Sequence, residues 1–219
     1  MTNDELHPVN SKSQFAYQEI KRSIVENDFK PNTLLVERRL SELLGISRTS
    51  IRQGLHQLAN EGFVEYVVNK GVFVADFNVM DAIEIYTIRE VTDPLMLENC
   101  FNFNYGMLLT KLEVATENID KAIRENDYES YIKNDMAYHN AYIETCTYKR
   151  LQNFVFSMME QVVRFAHMNQ DFDRALKSAM QHRAIYEAYR DKDIEKAKAL
   201  MSGHMREVRA YYIKKISKI

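Results

Sequence analysis

The scarcity of turn-forming residues limits what this chain can fold into. Only six glycines and three prolines occur among 219 residues. Because these two residue types make many of the tight turns in proteins, the chain has few places where it can reverse sharply. A many-stranded fold needs frequent reversals, whereas long helices need few. We therefore expect a mainly helical protein, and the length suits one large or two modest domains.

One segment nevertheless has the pattern of β-strands. The runs FVEYVV and VFVADF flank the short turn NKG. β-Branched and aromatic runs around a glycine-containing turn predict a β-hairpin. Three helices are predicted before it, over 13–27, 37–44 and 47–62. Gly45 is the expected C-cap of the second helix, and Ser47 is the expected N-cap of the third. This order of elements defines a winged helix-turn-helix.

The rest of the chain shows helical periodicity without strand signals. Helices are predicted over 79–100, 105–125, 128–146, 148–169, 173–190 and 193–216. The first should bend or break near Pro94, because proline lacks a backbone donor. Asp173 and Asp193 are candidate N-caps. The expected fold is mainly α, with a winged helix-turn-helix of three helices and a hairpin over 1–77 and an all-α antiparallel bundle of six to seven helices over 78–219.

Charge and cysteine usage bound the class of protein. The net charge of −2 argues weakly against a nucleic-acid partner, because phosphates attract basic surfaces. The stretch 38–52, however, carries four arginines against a single acid, Glu42, which gives it a local charge of +3. Cys100 and Cys146 lie far apart, which favours a reducing cytoplasm over a disulfide framework. No signal peptide or membrane span is expected.

The predicted third helix carries the side chains that a DNA-reading helix needs. Such a helix presents polar groups near its N-terminus to base edges and phosphates in the major groove. Ser47, Arg48 and Thr49 open the helix, and Arg52 and Gln53 follow one turn later. Taken alone, this short pattern fits a charged surface helix better than a DNA-binding one, so the surrounding sequence has to decide.

The surrounding sequence resembles the GntR family of bacterial repressors. The residues that carry the resemblance run from Tyr17 to Phe77 and include YQEI, KPN, LLVERRLSELLGISRTSIRQGLHQLANEGFVEY and NKGVFV. The resemblance implies a homodimer that binds a palindromic operator in double-stranded DNA. It also assigns DNA contacts to the second helix, the third helix and the wing: Arg38, Arg48, Thr49, Arg52, Lys70 and Gly71.

Some positions depart from the family pattern. Asn32 replaces glycine, Ser50 replaces proline, Gln53 and Gly54 replace a Glu-Ala pair, and Lys70 replaces an arginine. A glycine inside a helix costs about 1 kcal/mol relative to alanine, so Gly54 is expected to weaken the third helix. None of these changes removes an arginine that the family uses. They therefore bear on the preferred base sequence rather than on DNA binding.

The second half of the chain contains a possible set of metal ligands. Asp135 and His139 are four residues apart, which places both on one face of a helix. His182 and His204 lie on two further predicted helices. Three imidazoles and a carboxylate that converge would suit Zn²⁺, Ni²⁺ or another divalent transition metal. Spacing alone does not establish that they converge, and an isolated Asp–His pair is more often a surface hydrogen bond.

Residues 79–212 resemble the FadR C-terminal domain of the FCD type, an α-helical bundle that binds small effectors. The segments DMAYH and QHRAIYEAYRDKDIEKAKALMSGH carry the resemblance, with Gln181 and Lys192 among the departures. It implies that four residues ligate a metal inside an effector cavity: Asp135, His139, His182 and His204.

The same resemblance suggests residues that contact the effector. The segment YTIREVTDP matches a family pattern in which the arginine points toward the metal and helps hold an acidic ligand, which implicates Arg89 and the neighbouring Tyr86. The alternative is a buried salt bridge between Arg89 and Asp93. Tyr148 replaces a family asparagine and is a third candidate for contacting the effector.

Together these patterns predict a DNA-binding transcription regulator rather than an enzyme. We expect a repressor whose operator affinity is controlled by a small carboxylate metabolite bound at the metal site. Two alternatives stay open. In one, the metal ion itself is the signal. In the other, much weaker one, the metal activates water in a hydrolase, although no general base or nucleophile motif accompanies it.

Overall fold

A computed structural model gives the fold, with residues 11–76 and 79–216 described. The chain divides into two compact units, Met1–Phe77 and Asn78–Ile219. In the first unit the elements are α1 (Ser11–Val25), β1 (Leu34–Leu35), α2 (Glu37–Leu44), α3 (Arg48–Asn60), β2 (Val64–Val67) and β3 (Gly71–Val74). This order confirms the predicted winged helix-turn-helix.

The three strands form one small antiparallel sheet in the order β1-β3-β2. The predicted hairpin pairs Val64 with Val74 and Val67 with Gly71. Strand β1, which the sequence patterns did not predict, pairs with the other edge of β3. A strand of two residues is too short to show the alternation of apolar and polar residues by which strands are recognised.

The core of the first unit fixes which face of α3 is exposed. Ile20 and Ile24 of α1 are buried together with Ile51, Leu55 and Leu58 of α3. Burying these residues removes apolar surface from water and stabilises the unit. Arg48, Thr49, Arg52 and Gln53 of α3 are consequently exposed, whereas Ser50 is buried.

Local capping sets the turn between α2 and α3. Gly45 has φ 66°, a left-handed conformation that glycine adopts without a steric penalty. Ser47 precedes α3, and its Oγ accepts a hydrogen bond from the backbone N–H of Ser50 at 3.2 Å. Both predicted caps are confirmed.

The second unit is an all-helical bundle, as predicted. Its helices are α4 (Val79–Glu125), α5 (Tyr128–Thr145), α6 (Lys149–Met168), α7 (Phe172–Arg190) and α8 (Ile194–Ile216). Within the described residues, none of the helices has the length and apolar run needed to cross a membrane.

Of the two interruptions predicted within 79–125, the gap between the helices over 79–100 and 105–125 is confirmed, whereas the bend near Pro94 is wrong. The helix continues through Pro94, and the backbone leaves helical geometry at Asn104, with φ −141° and ψ 35°. Pro94 cannot donate to the carbonyl of Glu90, but Ser202 Oγ donates to that carbonyl at 3.2 Å instead. At the actual break, the Asn104 amide donates to the Thr145 carbonyl at 3.1 Å. A tertiary hydrogen bond therefore satisfies the carbonyl that Pro94 leaves without its helical donor.

One of the two candidate N-caps in this unit is wrong. Asp193 does cap α8, because its carboxylate accepts from the Lys196 N–H at 3.1 Å. In α7 the cap is Asp171 rather than Asp173, and it accepts from the backbone N–H of Arg174 at 3.0 Å. Asp171 also accepts a hydrogen bond from the Tyr211 hydroxyl at 2.7 Å, a contact that the local sequence does not reveal.

Candidate functional site

The residues predicted to contact DNA all lie on the surface of the first unit. They come from α2, from α3 and the residue before it, and from the turn of the hairpin, and each is exposed: Arg38, Ser47, Arg48, Thr49, Arg52, Gln53, Lys70 and Gly71. Lys70 directly precedes β3, and Gly71 begins it.

A single carboxylate on α2 organises the arginines of α3. Glu37 accepts two hydrogen bonds from Arg52, both 2.8 Å long, and lies 3.6 Å from Arg48 Nη2. The hydrogen bond from Arg52 is the main reason that the pKa of Glu37 is lowered. Glu37 was not singled out from the sequence. It orients two arginines that the family resemblance assigns to DNA.

The packing of α1 against α3 explains why a glycine occupies position 54, which helix propensity alone does not. A Cβ atom at this position would lie 2.9 Å from the backbone nitrogen of Tyr17 and 3.2 Å from Ala16 Cβ. The glycine therefore permits α1 to pack closely on α3. Alanine at this position would have to push the two helices apart, and we expect this overpacking to outweigh the cost of glycine in helix propensity.

Three histidines from three helices meet inside the second unit. His139 lies on α5, His182 on α7 and His204 on α8, and their candidate ligand atoms lie within 4.8 Å of one another. All three side chains are buried. The Nε2 atoms of His182 and His204 are 3.1 Å apart. The sequence could not establish this convergence, which depends on how the helices pack.

Asp135 borders the same cluster. Its Oδ1 lies 3.4 Å from His182 Nδ1, and its Oδ2 lies 3.9 Å from His139 Nε2. The Tyr131 hydroxyl donates a hydrogen bond to Asp135 Oδ1 at 3.1 Å. The structure thus brings together all four residues that the resemblance assigned to a metal.

Hydrogen bonds hold the outer nitrogens of two of the imidazoles. His139 Nδ1 lies 2.7 Å from the Tyr142 hydroxyl. His204 Nδ1 lies 2.8 Å from Gln181 Oε1, and the Gln181 amide nitrogen donates to Glu207. Since an amide oxygen only accepts, His204 carries its proton on Nδ1 and directs the Nε2 lone pair into the cluster.

The donor set fits a cation. His182 Nδ1 is buried, lies 3.4 Å from Asp135 Oδ1 and has no hydrogen-bond partner among the described residues. A cation in the cluster would balance the charge of the Asp135 carboxylate and supply the imidazole nitrogens with a partner.

Burial keeps the imidazoles neutral, which is the form that binds metals. It lowers the pKa of His182 to about 3, with Arg174 and Arg89 adding to the effect. It also lowers the pKa values of His139 and His204 well below the usual value.

Burial acts in the opposite direction on Asp135, because it disfavours the carboxylate. It raises the pKa of Asp135 to about 6, against the opposing effects of Tyr131 and of two nearby guanidinium groups, Arg89 and Arg174. At neutral pH the cluster therefore presents a carboxylate and three neutral imidazoles.

The salt-bridge alternative for Arg89 is confirmed. Its Nη2 lies 2.8 Å from Asp93 Oδ2, and both side chains are buried. The same nitrogen donates to the Tyr142 hydroxyl at 3.2 Å and lies 2.9 Å from His139 Nδ1. Tyr142 also donates to Asp93 at 2.5 Å. Arg89 thus forms the salt bridge and also belongs to the wall of the cavity beside the histidines.

That cavity has a volume of about 50 Å³ and a wall built from α4, α5, α6, α7 and α8. Its polar lining residues include Tyr86, Arg89, Asp135, His139, Arg174 and His204. Tyr148 does not line it. It precedes α6 and is 47% exposed, because α5 has already ended at Thr145. We therefore remove Tyr148 from the candidate effector contacts.

Several residues of the site were not selected from the sequence. Tyr142 follows His139 by three positions, a helical spacing that points both side chains the same way. Arg174 precedes His182 by eight positions, about two helical turns, and so lies on the same face of α7. These spacings could have indicated both residues. The Asp93–Tyr142 contact could not be found this way, because it joins two helices.

Comparison with known families agrees with the fold. The FCD domain matches residues 84–207, which is more than half of the chain, and the bacterial regulatory proteins of the gntR family match residues 12–74. These are families of transcription regulators rather than enzymes.

Individual relatives point the same way. An uncharacterized HTH-type transcriptional regulator, YdhC of Bacillus subtilis, is 25% identical over 86% of this chain and 85% of its own length. The gluconate operon transcriptional repressor of Bacillus licheniformis is 23% identical over 80% and 74%. A fatty acid metabolism regulator protein of Shewanella putrefaciens is 30% identical over 60% of this chain and 62% of its own length.

Solved structures share the fold. A transcriptional regulator GntR from Rhodococcus sp. RHA1 superposes with a TM-score of 0.81 at 20% identity, over 94% of this chain and 99% of that one. E. coli McbR/YncC gives a TM-score of 0.75 at 16% identity, over 93% and 98%. The chain belongs to the gntR family of bacterial transcription regulators, and in sequence an FCD domain follows its winged helix-turn-helix domain.

Proposed function

We propose that this regulator binds a palindromic operator and that a small carboxylate metabolite, held at a metal site in the FCD domain, controls its operator affinity. The observation that carries the proposal is the buried cluster of His139, His182, His204 and Asp135, of which all but His182 line a polar cavity. Repression is the proposed outcome of operator binding, by analogy with the gluconate operon repressor.

The cluster is proposed to hold a divalent metal, with Zn²⁺ or Ni²⁺ as the first candidates. His139, His182, His204 and Asp135 would be its ligands. When bound, such an ion supplies a positive charge with which an anion in the cavity can coordinate. The protein's own contribution is to orient the imidazoles, through Tyr142 and Gln181, and to keep the site away from bulk water.

In the first domain, the proposed DNA-binding face consists of the eight exposed residues from α2, α3 and the wing. Arg48 and Arg52 can each pair with guanine or phosphate through a guanidinium fork. Glu37 holds Arg52 through two hydrogen bonds and so limits the directions in which it can point. This arrangement supports base reading rather than simple charge attraction.

A palindromic operator requires two copies of the domain. The second half of α4 carries exposed apolar side chains, Phe103, Met107 and Val114, at 66%, 58% and 53% exposure. We propose that a second copy of the chain covers this surface. The variant Met107→Asp should lower the dimer fraction in sedimentation experiments, whereas Lys121→Asp, on the same helix, should not. Unchanged dimerisation of Met107→Asp would move the interface elsewhere.

The proposed control acts through α4. This helix begins at Val79, directly after the first unit in sequence, and it carries Arg89 in the cavity wall. An anion that binds one arrangement of the cavity better than another shifts the population of arrangements. A shift in α4 is then transmitted along the chain to the DNA-binding domain.

Metal sensing is the second candidate, and the complete set of four protein ligands favours it. If the metal ion is the signal, operator affinity follows free metal concentration, and metal leaves the protein readily. If a metabolite is the signal, the protein retains metal through purification and operator affinity follows the anion.

DNA binding is tested by selecting duplexes from a random pool with the full-length protein. We expect a short palindrome to be enriched, and we expect Arg52→Ala to lose it because a base-reading guanidinium is removed. Arg22→Ala, which removes an exposed arginine from α1, is the matched control and should retain the palindrome. Failure of the wild type to enrich any sequence at low salt would refute the regulator proposal for this domain.

The metal site is tested by the metal content of purified variants. His182→Ala and His204→Ala should each lower bound zinc strongly. His56→Ala should not, because His56 is exposed and stacks on Tyr66 in the first unit. Zinc content equal to that of the wild type in both cluster variants would show that the ligand set is wrong.

A further inference from the structure

Arg174 on α7 is a second guanidinium in the cavity wall, and the proposed function does not yet use it. Its Nη1 and Nη2 atoms are both buried, and neither has a hydrogen-bond partner among the residues that the structure describes. The ring of Tyr211 lies 5.9 Å from the guanidinium carbon. An aromatic face offsets only part of the cost of burying a charge.

The two arginines of the cavity differ in how their charges are balanced. Arg89 forms a buried ion pair with Asp93 and contacts Tyr142. The acids near Arg174 are engaged elsewhere: Asp135 accepts from Tyr131 and faces the histidines, and Glu207 is an exposed residue that pairs with Lys177 at 2.6 Å. Of the two guanidinium groups, Arg174 is therefore the one free to receive an anion.

We propose that Arg174 is a second anion-binding group, so that the effector carries two acidic groups, one held at the His–Asp cluster and the other by Arg174. The inference rests on the proposed function, because it places the first acidic group at the proposed metal. A guanidinium pairs with a carboxylate through charge-assisted, often bidentate, hydrogen bonds. Such a bond would satisfy both of the buried Arg174 nitrogens.

The charges in the cavity support a dianion. The Arg89–Asp93 pair is neutral, and an imidazole that ligates a metal does so in its neutral form. A divalent ion beside the Asp135 carboxylate leaves one positive charge, and Arg174 adds a second. A ligand with two negative charges neutralises the site, whereas a monocarboxylate leaves a buried charge unbalanced.

The size of the cavity limits the effector to a short molecule. A volume of about 50 Å³ is room for only a few water molecules. Short dicarboxylates such as malonate and succinate are therefore the appropriate probes, with acetate as the monocarboxylate for comparison.

The test is calorimetric titration of the zinc-loaded, full-length protein with acetate, malonate and succinate, with zinc content measured for every variant. We expect a dicarboxylate to bind about ten-fold or more tightly than acetate. In Arg174→Met, dicarboxylate affinity should fall by about ten- to hundred-fold, the loss expected for one charge-assisted hydrogen-bonded pair, while acetate affinity changes by less than about two-fold. Arg190→Met, an exposed position on the same helix, should change neither affinity.

Two further measurements separate ligand binding from a structural role. Arg174→Lys keeps the charge and should retain part of the preference for dicarboxylates. The anion-free Arg174→Met protein should melt no lower than the wild type, because it loses a buried charge that has no partner. A lower melting temperature of the anion-free variant, together with equal losses of affinity for all three anions, would overturn the inference in favour of a structural role.

The outcomes also distinguish the inference from the proposed function. If acetate binds as tightly as malonate and succinate, Arg174 does not hold a second acidic group, and the carboxylate effector of the proposed function still stands. If the zinc-loaded wild type binds none of the three anions, the proposed carboxylate effector falls, and the dianion inference falls with it.

Discussion

Removing one partner of the buried Arg89–Asp93 pair should destabilise the FCD domain far more than removing both. The two side chains are 1% and 0% exposed, and Arg89 Nη2 lies 2.8 Å from Asp93 Oδ2. A single substitution, Asp93→Leu or Arg89→Met, leaves an uncompensated buried charge and should cost roughly 3 to 5 kcal/mol. The two losses would sum to roughly 6 to 10 kcal/mol if they were independent.

The double variant Arg89→Met/Asp93→Leu should lose much less than that sum. It buries no charge, and its remaining cost is the Tyr142 hydroxyl, which loses the Asp93 acceptor. One unsatisfied buried polar group costs about 1 to 3 kcal/mol. The coupling between the two sites should therefore amount to several kcal/mol.

The assay is urea unfolding of the wild type, the two single variants and the double variant, monitored by far-ultraviolet circular dichroism. The slope of the unfolding free energy against urea concentration should be the same for all four proteins, which checks that the same folded and unfolded states are compared. Lys121 and Glu125 are the matched control, an exposed pair with the same four-residue spacing on the same helix. Their coupling should be at most about 0.5 kcal/mol. If the losses of unfolding free energy at Arg89 and Asp93 are additive, the two side chains do not stabilise each other, and the proposed role of Arg89 as the partner of Asp93 is refuted.

Three further predictions follow from the same contacts. Gly54→Ala should lower the melting temperature, because overpacking against Tyr17 costs about 1 to 3 kcal/mol and outweighs a gain in helix propensity of about 1 kcal/mol; an unchanged or higher melting temperature would contradict this. Zinc affinity should rise with pH up to about 6 and then level off, because the buried Asp135 must first lose its proton. Asp135→Asn should bind zinc more weakly, and its zinc affinity should not show this rise with pH. A rise with the same midpoint pH in the variant would disprove the role of Asp135 as the titrating ligand. Glu37→Gln removes the carboxylate that orients Arg52 and also removes a negative charge near the DNA. Binding assays at fixed salt should therefore show a smaller ratio of operator affinity to random-duplex affinity. An unchanged ratio would count against the orienting role of Glu37.

Features that depend on neighbouring residues could be predicted from the sequence. Gly45 and Ser47 act as caps because their own backbone conformation and side chain meet the needs of the adjacent helix end. The hairpin follows in the same way from two strand-forming runs around a turn. Motif resemblance extended this to the four residues of the His–Asp cluster, although only packing brings them together.

Features that depend on distant residues could not be predicted. The sequence placed a break at Pro94, but Ser202 of another helix supplies the hydrogen bond that proline cannot make. Helix propensity alone likewise predicts that Gly54 destabilises α3, whereas the close approach of α1 leaves no room for a larger side chain there. Asp171 rather than Asp173 is the N-cap of α7, and Asp171 also accepts a hydrogen bond from the Tyr211 hydroxyl. In each case a tertiary contact outweighs the local preference.

The most direct test of the whole account is the operator affinity of the zinc-loaded protein with and without succinate, measured on the selected palindrome at fixed salt. Coupling between two sites usually changes affinity by about 5- to 150-fold. We expect operator affinity to change by at least about 5-fold in the zinc-loaded wild type and to change little or not at all in the zinc-free protein or in Arg174→Met. An affinity that is the same with and without succinate in the zinc-loaded wild type, although calorimetry shows the anion bound, would contradict control of DNA binding by this cavity.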